Sequence, residues 1–218
     1  MTLKKIAAAA LLGCSLSFSV LAGIQEDAAS QLNSQLAKFS SFSAEFDQVS
    51  GSEDSRRMEN SQGTLLLAKP NKFRWIATEP FAQKLISDGE TLWIYDPDLE
   101  QATKRKVAES DAGVPALILN GQIEELQAHY TIRLLQEKGD DQLFELLPLQ
   151  EADVFTRIRL LFSAGLIKEL QMEDSLGQRT SILFNNQKLN PDYSEDAFTF
   201  IPPEGTDIIV ENKAEPVN

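Results

Sequence analysis

The chain has 218 residues with 20 basic and 33 acidic side chains, and its formal charge is −13. This acidity argues against binding to nucleic acid, which proteins hold by neutralising phosphates, and it repels anionic membrane surfaces. With one histidine and one cysteine in the whole sequence, a histidine-rich metal site and a disulfide framework are excluded.

Residues 1–22 have the pattern of a cleaved signal peptide. Lys4 and Lys5 form a positive start, a run of apolar and small residues follows, and Ala22 is a small residue at a suitable cleavage position. The apolar stretch is too short and too rich in serine to span a bilayer. We therefore expect cleavage after Ala22 and a soluble mature chain, 23–218, whose charge becomes −15 because two of the 20 basic residues are removed.

An alternative cleavage site precedes Cys14. The sequence Leu-Leu-Gly-Cys at 11–14 approaches the site at which lipoproteins are cut and acylated, but cleavage there would leave the apolar residues 15–21 on the mature chain. It would also leave a short apolar core after Lys5. Cleavage after Ala22 is the favoured interpretation.

The mature chain begins with a predicted amphipathic helix over residues 24–39, because apolar residues recur there every three or four positions. From residue 42 the period changes to two, which is typical of strands. A polar loop is expected at 50–62. The strand predicted before this loop is 42–47, and those after it are 64–68, 72–77, 84–87, 91–95 and 100–107. Asp88-Gly89 is a strong hairpin signal.

The middle of the chain interrupts this pattern with a short apolar segment between two glycines. Pro115 suits a first helical turn and Gly121 suits the residue that follows a helix, so we predict a helix of one to two turns that resumes at 123–128.

The second half of the chain again reads as strands separated by turns. The predicted strands are 130–136, 143–148, 156–162, 166–172, 178–185 and 207–210. Many short strands joined by hairpin turns predict a single mainly β domain, an antiparallel meander of about ten or eleven strands. We expect it to curve strongly and to carry the helices on its concave side, where a cavity would form.

Little in the sequence indicates catalysis. A serine triad would have to use His129, and neither a Gly-x-Ser-x-Gly motif nor a phosphate-binding loop is present. Carboxylate pairs such as Asp140-Asp141 fall in predicted turns, although sequence alone leaves a two-carboxylate glycosidase open. The chain is therefore expected not to be an enzyme and to need no cofactor or metal.

The aromatic residues are more informative. They occupy alternating positions on the predicted strands, which indicates either an ordinary core or a shared apolar lining for a ligand. These residues are Phe42, Phe46, Phe73, Trp75 and Trp93.

Two long motifs carry a family resemblance. They are GTLLLAKPNKFRW at residues 63–75 and SDGETLWIYDPDLEQAT at residues 87–103, with shorter matches at 28–30, 40–42, 115–119 and 198–205. In this order they resemble the LolA family of periplasmic carriers for outer-membrane lipoproteins. The resemblance implies an incomplete antiparallel β-barrel with helices that form a lid over an apolar cavity.

The resemblance also implies a function and partners. The expected protein is a monomeric periplasmic chaperone that takes triacylated lipoproteins from the inner-membrane transporter LolCDE and delivers them to the outer-membrane receptor LolB, without stable membrane insertion. It implies that Leu36, Phe73 and Trp75 line the acyl-chain cavity and that the lid residues are Pro115, Leu117, Ile118 and Leu119. Leu66 stands where relatives can have a tryptophan, and we assign it and the other aromatic residues named above to the cavity as well.

A latch is implied as well, because relatives of this family usually carry an arginine before the motif proline that closes the lid. Here that position is Lys69, which keeps the charge but lacks the planar fork of donors, so the latch is assigned to Lys69 or Arg74, which would hold the empty closed state against the helix around Leu119. Alternatives are a lipid-anchored LolB-like receptor with an acylated Cys14, a periplasmic hydrolase, and a sensor of mislocalised lipoproteins.

Overall fold

The computed structural model describes residues 17–52, 58–107, 118–150 and 154–211. Twelve strands in these ranges form one open sheet, and a few helices cover part of it. The mainly β fold predicted from the sequence is therefore confirmed, as a sheet that does not close into a barrel.

The helices are α1 Ser17–Leu36, α2 Ile123–His129 and a 3-10 helix Glu195–Phe198, and residues 118–120 are also helical. The strands are β1 Ser41–Ser52, β2 Glu59–Ala68, β3 Lys72–Glu79, β4 Gln83–Asp88, β5 Thr91–Asp96, β6 Gln101–Lys106, β7 Tyr130–Lys138, β8 Asp141–Pro148, β9 Phe155–Ser163, β10 Leu166–Asp174, β11 Gln178–Leu189 and β12 Asp207–Glu211.

The strand order across the sheet is β12-β6-β5-β4-β3-β2-β1-β11-β10-β9-β8-β7. Neighbours in each half follow one another along the chain, whereas β1 pairs with β11 and joins the two halves. The predicted antiparallel meander is wrong at two places. Strand β1 pairs with β11, so the consecutive strands β6 and β7 are not neighbours, and β12 pairs in parallel with β6.

Two element boundaries also differ from the sequence-based predictions. The predicted polar loop at 50–62 is shorter, because β1 continues to Ser52 and β2 begins at Glu59, and their cross-strand pairing extends to Ser50 and Glu59. Helix α1 ends at Leu36 rather than at residue 39. Phe39 is nonetheless buried, in the turn that leads into β1.

The main core lies between the helices and the concave face of the sheet. On α1 the buried residues are spaced by one helical turn or less, and the helix contacts β7 and α2. Most of the strands that contribute, β1, β2, β7, β8, β9 and β11, do so with alternate residues, as the two-residue period requires. Core members from α1 and the two central strands are Ala28, Ala29, Leu32, Leu36, Phe42, Ala44, Phe46, Leu65 and Leu67.

The outer face of β3 to β6 carries a second packing layer formed by the C-terminal segment. Phe198 of the 3-10 helix is buried, and the Phe200 ring lies 5.5 Å from the ring centroid of Trp93 and 5.3 Å from that of Tyr95. Strand β12 follows at the edge of β6. Trp93 and Tyr95 are therefore held on the side of the sheet opposite to the main core.

Within the ranges described above, no helix combines the length and the apolar character needed to cross a bilayer.

Candidate functional site

A cavity of about 800 Å³ lies on the concave face of the sheet. Its volume falls within the roughly 300–1,000 Å³ range of ligand pockets. Among the described residues, its apolar lining comprises Leu65, Leu67, Phe73, Trp75, Ala77, Leu85, Leu119, Met172 and Ile182, and residues nearer the rim include Gln48, Ser50, Met58, Glu59, Asn60, Ser61, Pro80, Phe81, Ala82, Gln83 and Asp96.

The pairing of neighbouring strands brings apolar side chains together to form one wall of the cavity. Leu65 pairs with Trp75, and Trp75 pairs with Leu85, so these three side chains lie side by side on neighbouring strands. The Trp75 ring stacks on Phe46, with 3.9 Å between centroids and 26° between planes. Phe46 itself is buried and supports this wall from the adjacent core.

One end of the cavity opens to solvent. Met58 and Phe81 line it although they are 61% and 75% exposed. Large apolar side chains that lose little solvent exposure on folding mark a contact surface more often than a core. The opposite end lies towards Leu119, which is buried and lines the cavity beneath the helical cover.

The turn between β2 and β3 holds the helical cover against the sheet. Lys69 Nζ donates a hydrogen bond of 2.7 Å to the backbone oxygen of Leu36, the last residue of α1. The same ammonium lies 4.2 Å from the ring centroid of Phe39. Lys69 thus binds the end of a helix at which partial negative charge accumulates, and its charge also faces an aromatic ring.

The helical residues 118–120 meet the same turn. The backbone N–H of Asn71 donates to Asn120 Oδ1 at 3.0 Å. Gly121 then ends the helix with a φ of +70°, and a Cβ at that position would lie 3.1 Å from Lys69 Nζ. A side chain there would be strained and would crowd the ammonium, so glycine is required for this approach.

Burial lowers the pKa of Lys69 from its ordinary value of 10.5 because desolvation penalises the charged amine. The folded state therefore binds fewer protons than the unfolded state between the lowered pKa and 10.5. The cost of the buried charge is fully present below the lowered pKa and is lost as the pH rises towards 10.5.

We expect Lys69→Leu to shift the pH dependence of stability. As the pH rises from neutral towards 10.5, the wild-type chain should gain stability relative to the variant, because only the wild type loses the penalty of the buried ammonium. Urea unfolding at several pH values measures the difference. A difference that stays constant over this range would contradict the shift.

The structure brings some predicted site residues together and separates others. Phe73, Trp75 and Leu119 line the cavity. The main core instead takes Leu36, Phe42, Phe46 and Ile118, all buried beside the cavity rather than in its lining. The predicted lid residues Pro115 and Leu117 lie outside the described residues.

Two residues that were predicted to line the cavity lie on the outer face of the sheet instead. Leu66 stands between Leu65 and Leu67, whose side chains line the cavity, so its own side chain points to the outer face. Trp93 packs on Phe200 there, and Lys104 Nζ lies 5.3 Å from the ring centroid of Trp93. Both assignments to the cavity are therefore corrected.

Arg74 also differs from its predicted role. It alternates with the cavity residues Phe73 and Trp75, and its guanidinium donates to the backbone oxygen of Ala197 at 3.4 Å on the outer face. Arg74 therefore anchors the C-terminal segment, and Lys69 is the residue of the predicted pair that reaches the helical cover.

His129 ends α2 with its Nε2 atom 3.3 Å from Glu125 Oε1, and both side chains are about half exposed. It does not line the cavity. In the part of the chain that the structure describes, no group of three or more His, Cys, Asp or Glu side chains is arranged to hold a metal ion.

Several cavity residues were missed from the sequence. Leu65, Leu67 and Leu85 lie on the same strands as the predicted aromatic residues or on the strand next to them, and Met172 and Ile182 come from the other half of the sheet. The three leucines could have been predicted from the sequence. When the hairpins are aligned, they fall on the same face of the sheet as Phe73 and Trp75. Met172 and Ile182 depend on the pairing of β1 with β11, which the sequence does not indicate.

The model of the outer membrane lipoprotein carrier protein LolA family matches residues 37–201. This chain belongs to the LolA family. A relative from Chromohalobacter salexigens, named outer-membrane lipoprotein carrier protein, is 36% identical over 201 residues, which cover 92% of this chain and 95% of that protein. A relative of the same name from Pseudomonas aeruginosa is 38% identical over 192 residues, which cover 88% of this chain and 92% of that protein.

A solved structure of an uncharacterized conserved protein from Thermus thermophilus shares the fold, with a TM-score of 0.55 at 10% identity over 84% of this chain and 99% of that one. The resemblance to the LolA family drawn from residues 63–75 and 87–103 is confirmed by the family match. In this LolA family chain the first motif forms the hairpin of β2 and β3, which supplies both the cavity wall and the turn that holds the helices.

Proposed function

We propose that this chain carries the acylated N-termini of outer-membrane lipoproteins through the periplasm. The cavity on the concave face carries this proposal, because it offers an apolar enclosure of about 800 Å³ that is open at one end. The curated relatives named above are lipoprotein carriers, and this chain is similar to them over most of its length.

The physics of the cargo explains why a carrier is needed. Exposing an acyl chain of about 15 methylenes to water costs on the order of 12 kcal/mol, at about 0.8 kcal/mol per methylene. A lipoprotein therefore cannot cross an aqueous space unaided. A lining of smooth apolar side chains covers the acyl surface without directional bonds, so the cargo can leave when the cover opens.

In the proposed cycle, the inner-membrane transporter LolCDE loads the cargo and the outer-membrane receptor LolB receives it. The carrier acts as a monomer without catalysis. Its signal peptide, residues 1–22, is removed after Ala22, and residues 23–218 form one soluble periplasmic domain. The mass of the mature protein tests this directly, because cleavage before an acylated Cys14 would instead give a lipid-anchored protein.

Lys69 is proposed to latch the empty, closed state. Its ammonium is bonded to the last residue of α1, and Asn120 accepts a hydrogen bond from Asn71 in the same turn. One turn therefore contacts the ends of two helical segments. Movement of the cover away from the cavity would break both contacts, and the energy for that step would come from the loading transporter.

We expect Lys69→Leu, with Arg74 intact, to loosen the cover. The free energy of unfolding should fall by about 1–2 kcal/mol at neutral pH because the charge-assisted hydrogen bond to Leu36 is lost. Transfer of bound lipoprotein to the receptor should slow, because the closed state no longer competes with cargo. Arg74→Leu is the matched control for transfer, because Arg74 contacts the C-terminal segment on the outer face and not the helical cover. The latch assignment fails if Lys69→Leu changes neither stability nor transfer.

Native mass spectrometry of the protein purified from periplasm without detergent tests the carrier function. We expect a fraction of the chain to retain an acylated protein, which dissociates as an intact lipid-modified polypeptide, and the remainder to have the mass of a chain beginning at Gly23. Absence of acylated protein after co-expression with an abundant lipoprotein and depletion of the receptor would contradict the proposal.

A further inference from the structure

The concave face changes from apolar to polar along the two central strands. The paired residues of β1 and β2 are successively Phe42 with Leu67, Ala44 with Leu65, Phe46 with Gly63, Gln48 with Ser61 and Ser50 with Glu59. The first three pairs belong to or border the core and cavity wall, and the last two line the open end. The lining therefore has an apolar end beneath the helices and a polar end at the opening.

The length of the apolar part matches an acyl chain. From Leu67 to Ser61, both in the cavity lining, strand β2 advances six residues, or about 20 Å at roughly 3.3 Å per residue. An acyl chain in a bilayer spans about half of the roughly 30 Å hydrocarbon core, or about 15 Å. A chain whose end reaches Phe73, which pairs with Leu67, would place its polar head beside Gln48 and Ser61.

The polar end offers uncharged hydrogen-bonding groups. Gln48 Nε2 contacts Ser50 Oγ at 3.4 Å, and Ser50 Oγ lies 3.0 Å from Thr180 Oγ1. The side chains of Ser61 and Gln83 line the cavity, and within the described ranges neither has a protein hydrogen-bond partner. Their donors and acceptors are available to a ligand.

The charges at the opening select the kind of head group. Glu59 and Asp96 line the cavity, and no lysine, arginine or histidine does so among the described residues. Two carboxylates near a ligand head would repel a fatty-acid carboxylate or a phospholipid phosphate. An uncharged head made of esters and amides meets no such repulsion and can accept from Gln48, Ser61 and Gln83.

We propose that this polar rim, formed by Gln48, Ser50, Ser61 and Gln83, binds the glyceryl-ester and amide groups of an acylated N-terminal cysteine. The acyl chains then extend towards Leu119, and the polypeptide leaves through the opening beside Phe81. The rim distinguishes an acylated protein from a free fatty acid or an anionic phospholipid. This inference rests on the proposed carrier function.

The test compares the wild type with the double variant Gln48→Met/Ser61→Ala by fluorescence titration. The probes are a labelled tripalmitoyl-glyceryl-cysteinyl peptide with an uncharged sequence, its ether-linked analogue that lacks the ester carbonyls, and the apolar dye N-phenyl-1-naphthylamine. Gln62→Met is the control, because Gln62 lies on β2 outside the cavity lining and is exposed.

We expect the double variant to bind the ester peptide about tenfold more weakly, since it loses neutral hydrogen bonds. Its affinity for the ether analogue should change much less, its affinity for the dye should be unchanged, and Gln62→Met should behave as the wild type. Equal losses for the ester and ether peptides, or no loss for either, would overturn the rim assignment.

A second variant keeps the inference testable if the first folds poorly. Glu59→Gln/Asp96→Asn should strengthen the binding of palmitate several-fold more than that of the ester peptide, because only palmitate carries a negative head. No change in palmitate binding would contradict the charge selection. Failure of the wild type to bind any acylated probe, in contrast, would overturn the proposed carrier function itself.

Discussion

Replacing Gly63 with alanine is expected to lower the free energy of unfolding by about 3 kcal/mol and the Tm by roughly 6–12 °C. A Cβ at this position would lie 1.9 Å from the backbone oxygen of Ile76 and 2.8 Å from the Phe46 ring. Backbone atoms of the neighbouring strand cannot yield as a flexible side chain would. Strands β2 and β3 must therefore separate, and Phe46 must also shift against the Trp75 ring on which it stacks.

The control is Thr64→Ala, one residue along the same strand. Thr64 is exposed on the outer face, so its substitution should change stability by less than about 1 kcal/mol. Thermal unfolding followed by circular dichroism compares the two variants. If the Tm of Gly63→Ala stays within about 2 °C of the wild type, the close approach of β2 to β3 is wrong, since about 3 kcal/mol cannot produce so small a shift.

Local patterns predicted most of the strands, because each strand with one buried face alternates visibly. Hairpin signals such as Asp88-Gly89 also placed neighbouring strands correctly, as β4 and β5 pair across that turn. The pairing of β1 with β11 could not be predicted in this way, because it joins residues far apart in the sequence. The parallel addition of β12 to β6 has no local signal either.

The candidate site shows the same division between local and long-range information. In the alternation along their strands, Phe73 and Trp75 face the cavity, whereas the apolar residues Leu66 and Trp93 face the outer side of the sheet. That face has an apolar layer of its own, supplied by Phe200 of the C-terminal segment. An apolar residue on a strand covered on both sides therefore does not reveal which side it faces.

Lys69 illustrates what a family resemblance contributes. Its position before the motif proline suggested a latch, and the structure shows its ammonium bonded to Leu36 at 2.7 Å. The expected contact was with the helix around Leu119. The second contact of the turn is instead made by the backbone of Asn71 with Asn120, which no charge pattern in the sequence would indicate.

The cavity wall is most directly tested by Leu85→Glu, which we expect to weaken the binding of an acylated peptide at least about 100-fold. Leu85 lines the cavity beside Trp75 and is only partly buried, so the empty protein can hydrate the new carboxylate and remain folded. A bound acyl chain would strip that water from the charge, and an unpaired carboxylate against hydrocarbon costs several kcal/mol. Since about 1.4 kcal/mol is a factor of ten, a loss of this size follows from about 3 kcal/mol.

Leu183→Glu provides the matched control, because Leu183 lies on the opposite face of β11 from the cavity residue Ile182 and is 45% exposed. It introduces the same charge into the same sheet without entering the cavity, so binding should stay within about twofold of the wild type. Titration with the labelled tripalmitoyl peptide measures both variants, and thermal unfolding checks that each is folded. Equal affinities for Leu85→Glu and Leu183→Glu would mean that acyl chains bind elsewhere on the protein. The volume of the cavity does not show whether an acyl chain binds in it, but the effect of an added charge does. A cavity with no ligand tolerates a hydrated carboxylate, whereas a cavity that must exclude water to bind an acyl chain does not.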